Sequence, residues 1–171
     1  MHVVIATDGS RQSLTAARYF KSFADPERIT AITVVAVIRP LAAVSFADEL
    51  SAMGTKRPDL ESATFREAAE GALEVVSEVF ADWGPRVQRR IRSGSPASEI
   101  IKVAKVVGAG LVVVASGSRG LSETVLLGST AQRVQHSAPC PVLVVRPAPR
   151  PPKPKVAKAK TPRAVASKPA T

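Results

Sequence analysis

Aromatic residues are scarce in this chain, at 4% of 171 positions, and cysteine occurs once, at Cys140. A lone thiol excludes an internal disulfide and a cysteine-based metal cluster. It reads as a small packed group at the start of a strand. With so few rings, the core must come from Val, Ala, Leu and Ile, which is feasible at 45% hydrophobic content. No apolar run approaches the roughly 20 residues of a membrane helix, so no membrane span is expected. The opening MHVVIATDGSR has no basic leader, and Asp8 interrupts its apolar run. That argues against a secretory signal and for a soluble, cytoplasmic protein. No His, Asp or Cys stands at metal-ligand spacing, so no metal site is expected; His136 reads as a cation favourable to a helix C-terminus. The lysine-bearing phosphate loop G-x4-GK-[ST] is absent, as are HxGH and SGGxDS segments. These absences weigh against fast phosphoryl or adenylyl transfer, and no catalytic residues are assigned.

Charge is unevenly placed. Residues 146–171 hold eight Lys or Arg, no acid and seven of the 14 prolines. That leaves 24 − 8 = 16 basic against 14 acidic residues in 1–145, a net of +2 out of the total +10. Residues 147–171 are rich in Pro, Lys and Ala, cannot build a core, and are expected to be a disordered basic tail. Lys153, Lys155, Lys158 and Lys160 lack an aromatic neighbour for base stacking. The plain reading is a solvated appendage; the sharper one is sequence-independent contact with nucleic acid or another anionic surface.

The rest of the chain alternates strand and helix signals. His2–Thr7 is a short β-branched run ending at Asp8-Gly9-Ser10, with Ser10 as the N-cap of a helix over 11–24. Leu14, Ala17, Phe20 and Phe23 or Ala24 supply its inner face. Ile29–Ile38 reads as a buried strand and 39–58 as an irregular excursion. Asp59 or Ser62 caps a long helix to about Trp83, with Phe65, Ala68, Ala69, Leu73, Val76 and Phe80 at helical spacing. Val87–Arg92 alternates like an edge strand. Ser95-Pro96 opens a helix through Val107 that Gly108 and Gly110 close. Leu111–Ala115 is a fourth strand, Ser129–His136 a short helix capped by Ser129, and Pro141–Val145 a fifth strand. The βαβαβαβαβ order implies an α/β fold, a parallel sheet with helices on both faces. Ligands of such sheets sit at the carboxyl ends of strands.

One segment carries most of the chemistry: LVVVASGSRGLSETVLLGST, residues 111–130. An apolar strand runs into Gly117-Ser118-Arg119-Gly120, and Gly128-Ser129-Thr130 opens a helix. Bare backbone N–H groups and a helix N-terminus are how α/β proteins hold phosphates. A plain turn would explain the glycines as well, and capping would explain Ser129. Asp8, ending the first strand beside Gly9, is either an acceptor for a ligand hydroxyl or amine, or an Asx-turn residue starting the first helix.

Taken together, VVIATDGS at 3–10, GSPASEIIKVA at 94–104, VVVASGSRGLS at 112–122 and LLGSTAQRVQHSAPCPVLVV at 126–145 resemble the universal stress protein family over 1–146. The resemblance implies one doubly wound five-stranded domain with strand order 3-2-1-4-5, homodimers through the fifth strands, and a role in stress regulation. It implies an ATP site, with or without Mg²⁺, in one of two subfamilies. Carried onto this chain, Asp8 contacts the base or ribose side, and Ala6, Thr7 and Val37 lie around the base. Gly117, Ser118, Arg119 and Gly120 cover ribose and phosphates, and Gly128, Ser129 and Thr130 hold the phosphate chain. The family's ATP pattern is G-x2-G-x9-G-[ST], whereas only seven residues separate Gly120 from Gly128. Two missing residues remove up to about 7 Å of reach. A relative that binds no nucleotide and works through its tail is therefore the competing reading, with a slow ATP-cleaving enzyme behind it.

Overall fold

The structure, a computed structural model, describes residues 1–39, 58–116 and 127–146, the side chains of 58–63 excepted. Within them run β1 (His2–Thr7), α1 (Arg11–Phe23), β2 (Ala31–Ile38), α2 (Pro58–Glu78), β3 (Arg86–Ser93), α3 (Pro96–Val106), β4 (Ala109–Ala115), α4 (Ser129–Ser137) and β5 (Val142–Val145). The strands form one sheet of order β3-β2-β1-β4-β5, and every neighbouring pair is parallel. This is the doubly wound order that the family resemblance implies. The excursion expected in 39–58, apart from Arg39 and Pro58, the glycine segment 117–126 and the tail 147–171 lie outside the described residues.

Alternation along the strands divides the core in two. Val3 and Ile5 of β1 face α1 and α2, packing with Ile32, Val34, Val113, Phe20, Val76 and Phe80. Val4 faces α3 and α4, with Val35, Val112, Val114, Ile100, Val103 and Val134. The few aromatics are concentrated on the first side. Phe20 lies 6.3 Å from Phe80 and 5.7 Å from Trp83, centroid to centroid, and Phe80 lies 5.5 Å from Trp83. One ring cluster thus replaces the large side chains missing elsewhere.

Several local expectations are corrected. Phe23 is exposed, and the inner face of α1 is Ser13, Ala16, Ala17 and Phe20, with Ala24 packed beside it. Asp25 caps a 3-10 turn at Pro26–Arg28, so β2 starts at Ala31 and Ile29 belongs to the turn. Helix α2 starts at Pro58, ahead of both proposed caps, and ends at Glu78; Phe65 and Ala68 are exposed. Ser95 holds the N-cap position, but its side chain makes no capping hydrogen bond; its carbonyl accepts from Glu99 N–H at 3.0 Å. Gly108 stops α3, but Gly110 lies inside β4. It is the extra residue where the β1–β4 register slips between His2 and Val3, and a Cβ there would come within 3.0 Å of Met1 Cβ. The Met1 side chain lying over the bulge, not a helix stop, favours a glycine there. Helix α4 is capped by Gly128, not Ser129, and β5 begins at Val142.

The two edges of the sheet are built differently. β3 reads RVQRRIRS, with Arg89 reaching Glu74 at 4.0 Å and Arg92 reaching Glu99 at 3.5 Å. β5 reads VLVV and carries no charge. Charged side chains discourage a second chain from pairing with an edge strand, and their absence permits it.

A titrating group sits at the amino end of the sheet. His2 Nε2 lies 2.8 Å from Thr33 Oγ1. Burial, then the charges of Arg90 and the N-terminus, hold the imidazole below its usual value of 6.5. A proton is therefore bound more weakly by the folded chain than by the unfolded one. Stability is expected to be fully present above pH 6.5 and to fall as pH drops toward the folded value. His2→Gln should flatten that part of the profile when urea midpoints are compared between about pH 5 and 7.5.

Candidate functional site

The carboxyl ends of β1, β2 and β4 meet at one edge, and the pairing sets their heights. Thr7 pairs with Ala36 and Ile5 with Val113. Counting on from these pairs, Asp8, Val37 and Ser116 stand level. Ala6 and Val37 pack on the α3/α4 side, with Leu127 at the entry to α4 on the same cluster. By alternation Asp8 and Ser116 continue those two rows.

Asp8 is exposed, and its Oδ1 accepts from Ser10 N–H at 3.1 Å. This is the Asx turn, made with one oxygen and leaving a second that no described residue engages. Gly9 turns the chain with φ of +75°, a conformation that suits glycine. Ser10 then caps α1, its hydroxyl accepting from Ser13 N–H at 3.2 Å. Thr7 points the other way. Ser13 Oγ donates to Ser10 O at 2.8 Å, so Thr7 Oγ1, 2.9 Å away, donates to Ser13 Oγ while accepting from Gly9 N–H at 3.1 Å. Its hydroxyl is spent on holding α1 against the sheet, on the face opposite Ala6.

Ser116 is a residue the sequence reading passed over. It is 2% exposed, its N–H donates to Val145 O at 2.9 Å, and its Oγ has no hydrogen-bond partner among the described residues. A buried unpaired hydroxyl costs about 1–3 kcal/mol, so it marks a place where a polar group is accepted for another reason. The available signal was positional: Ser116 is the polar residue that ends the Leu-Val run at a strand's carboxyl end.

Helix α4 follows Leu127, which packs on the same cluster as Ala6 and Val37. Gly128 offers no capping side chain, the first turn holds no acid, and the first intrahelical bond runs from Gln132 N–H to Gly128 O at 3.0 Å. The N–H groups of Ser129, Thr130 and Ala131 therefore have no intrahelical acceptor. Ser129 is exposed and Thr130 half-buried. Gly117, Ser118, Arg119 and Gly120 lie outside the described residues. Among the described residues, no three His, Cys, Asp or Glu come together as a metal site, and no helix is long and apolar enough to cross a membrane. Cys140 packs against the α3/α4 core, and burial raises its thiol pKa. His136 is the basic residue of α4's last turn.

The family model for universal stress proteins matches residues 1–146. The chain belongs to the universal stress protein family. A universal stress protein of Methanocaldococcus jannaschii is 37% identical over 147 residues, covering 84% of this chain and 81% of the relative. Two solved universal stress proteins share the fold. One, in complex with cAMP, has a TM-score of 0.56 at 20% identity, covering 85% of this chain and 96% of its own. The other, from Arabidopsis thaliana with AMP bound, has a TM-score of 0.58 at 18% identity, covering 85% and 90%. In this universal stress protein, β3 and α3 are joined at the same end of the sheet by Glu99. The Lys102 ammonium hydrogen bond at 2.6 Å, reinforced by the charges of Lys102 and Arg92, holds its carboxyl below the usual range against the opposing effect of burial.

Proposed function

We propose that this chain binds an adenine nucleotide, ATP with or without Mg²⁺, and acts as a nucleotide-responsive regulator in a stress response rather than as a fast enzyme. The observation that carries the reading is the row of Asp8, Val37 and Ser116 at the carboxyl end of the sheet, together with an α4 N-terminus that has no capping side chain. Apolar side chains at Ala6 and Val37 suit the flank of a base. The Asp8 oxygen that no described residue engages suits a ribose hydroxyl or an exocyclic amine, and the Ser116 hydroxyl, unpartnered among the described residues, suits a second polar atom of the ligand. The α4 N–H groups at Ser129 and Thr130 suit phosphate oxygens. Gly117, Ser118, Arg119 and Gly120 take the ribose and phosphate roles that the family pattern assigns them. The cAMP and AMP held by two structural neighbours support an adenine ligand. A homodimer through β5 completes the reading, on the uncharged edge of the sheet.

Calorimetric titration of the full chain with ATP, AMP and cAMP, each with and without Mg²⁺, tests it. Saturable heat with a matching rise in melting temperature is expected for at least one of them. No heat and no thermal shift at millimolar nucleotide would overturn the proposal.

A further inference from the structure

A cavity opens at the carboxyl end of the sheet, on the face opposite Ala6 and Val37. It measures about 150 Å³ and is lined by Arg11, Gln12 and Thr15 from the first turns of α1, and by Val145 and Arg146 at the end of β5. Val145 belongs to the α1/α2 core, whereas Ala6 and Val37 belong to the α3/α4 core, so the sheet separates this cavity from the nucleotide crevice.

Its wall is electrically one-sided. Among the described residues its lining contains two guanidinium groups and no acid. The first turn of α1 holds no acidic residue, and the helix dipole adds partial positive charge there. The ion pairs among the described residues engage Arg28, Arg66, Arg89, Arg92 and Lys102, and neither Arg11 nor Arg146. Residues 147–171, which leave from Arg146, carry no acidic side chain that could serve as counterion. Two like charges facing one small cavity repel, and an anion between them removes that repulsion.

Size and donor geometry narrow the anion. The cavity has room for several waters or one tetrahedral oxyanion. It falls well short of the 300 Å³ or more of common small-molecule sites. Guanidinium forks match the oxygens of phosphate bidentately. Thr15 Oγ1 donates to Arg11 O at 2.8 Å, and the two guanidinium groups are the charged donors of the described lining. We infer that the Arg11–Arg146 cavity is a phosphate-binding site, independent of the nucleotide crevice. It takes either free inorganic phosphate or the phosphoryl group of a larger molecule.

The test titrates the full chain with inorganic phosphate at low ionic strength, with chloride at matched ionic strength as control. Binding is followed by calorimetry and by the arginine Nε–Hε NMR signals. Saturable phosphate binding is expected, with the Arg11 and Arg146 signals moving together. R11Q/R146Q should weaken it at least tenfold, whereas R86Q, on the distant β3 edge, should leave it intact. Adenine-nucleotide binding in R11Q/R146Q should match the parent, which keeps this site's failure distinguishable from that of the crevice. Equal affinity for ribose 5-phosphate would identify a phosphoryl group as the ligand, and binding of inorganic phosphate alone the free ion. Unchanged phosphate affinity in R11Q/R146Q, or parent signals of Arg11 and Arg146 that do not respond, would overturn the site. The second readout needs no variant to fold.

Discussion

A Phe20→Ala chain is expected to lose about 3–5 kcal/mol of unfolding free energy. Phe20 is 1% exposed and touches both of the other large rings of its cluster, Phe80 and Trp83. Truncation removes the transfer free energy of the ring and leaves a cavity between α1 and α2. The neighbours Ala16 and Ala17 are too small to fill it, and the other sides are closed by the sheet. Against a total of about 5–15 kcal/mol for an ordinary domain, the change is a large fraction. Urea unfolding should show a lower midpoint with an unchanged slope. Val106→Ala, at a position 70% exposed, should stay within about 0.5 kcal/mol of the parent. Equal effects at the two positions would contradict the core described above.

The second large effect concerns the nucleotide. Asp8→Asn keeps an oxygen able to accept from Ser10 N–H, so the turn into α1 survives, but it removes the charge. A hydrogen bond to a charged group contributes about 1.5–3 kcal/mol, so nucleotide affinity is expected to fall roughly 10- to 100-fold. Calorimetric Kd values for parent and variant measure this, and matching melting curves without ligand establish that the fold is intact. An unchanged Kd would remove Asp8 from the binding site.

The architecture was legible because each element announces itself twice, by periodicity and by its end signals. AITVVAVI cannot be amphipathic at any helical spacing, and Asp8-Gly9-Ser10 is both a strand end and a helix start. What failed to show was what depends on packing between elements. Phe23 sits at an inward-compatible spacing, yet Phe20, Phe80 and Trp83 already fill the space beneath α1. Gly110 looked like punctuation because nothing in its neighbours tells that Met1 passes over it. Ser116 escaped notice because an unpaired hydroxyl is a statement about surroundings, not about residue type. Thr7 shares a sequence neighbourhood with Asp8 but faces the opposite side of the sheet.

The glycine pattern itself admits two registers. Counted forward from Gly117 and Gly120, the loop is two residues short. Counted back from Gly128, the N-cap of α4, nine residues end at Arg119, and Ala115 and Ser118 take the two glycine positions with nothing missing. Ala115 is the last residue of β4. In this register the chain keeps the family's loop length and departs from it in side chains, so crowding rather than reach becomes the constraint on a ligand.

The unequal edges of the sheet set a limit on growth. An uncharged β5 can align with its own copy about a two-fold axis, each copy presenting the same strand. Such a contact uses up both bare edges at once and leaves the arginine-bearing β3 strands at the outer ends. Repulsion between like charges disfavours a third addition. In the proposed homodimer, association through the sheet would be self-terminating, closing at two copies where an open edge would otherwise go on adding strands.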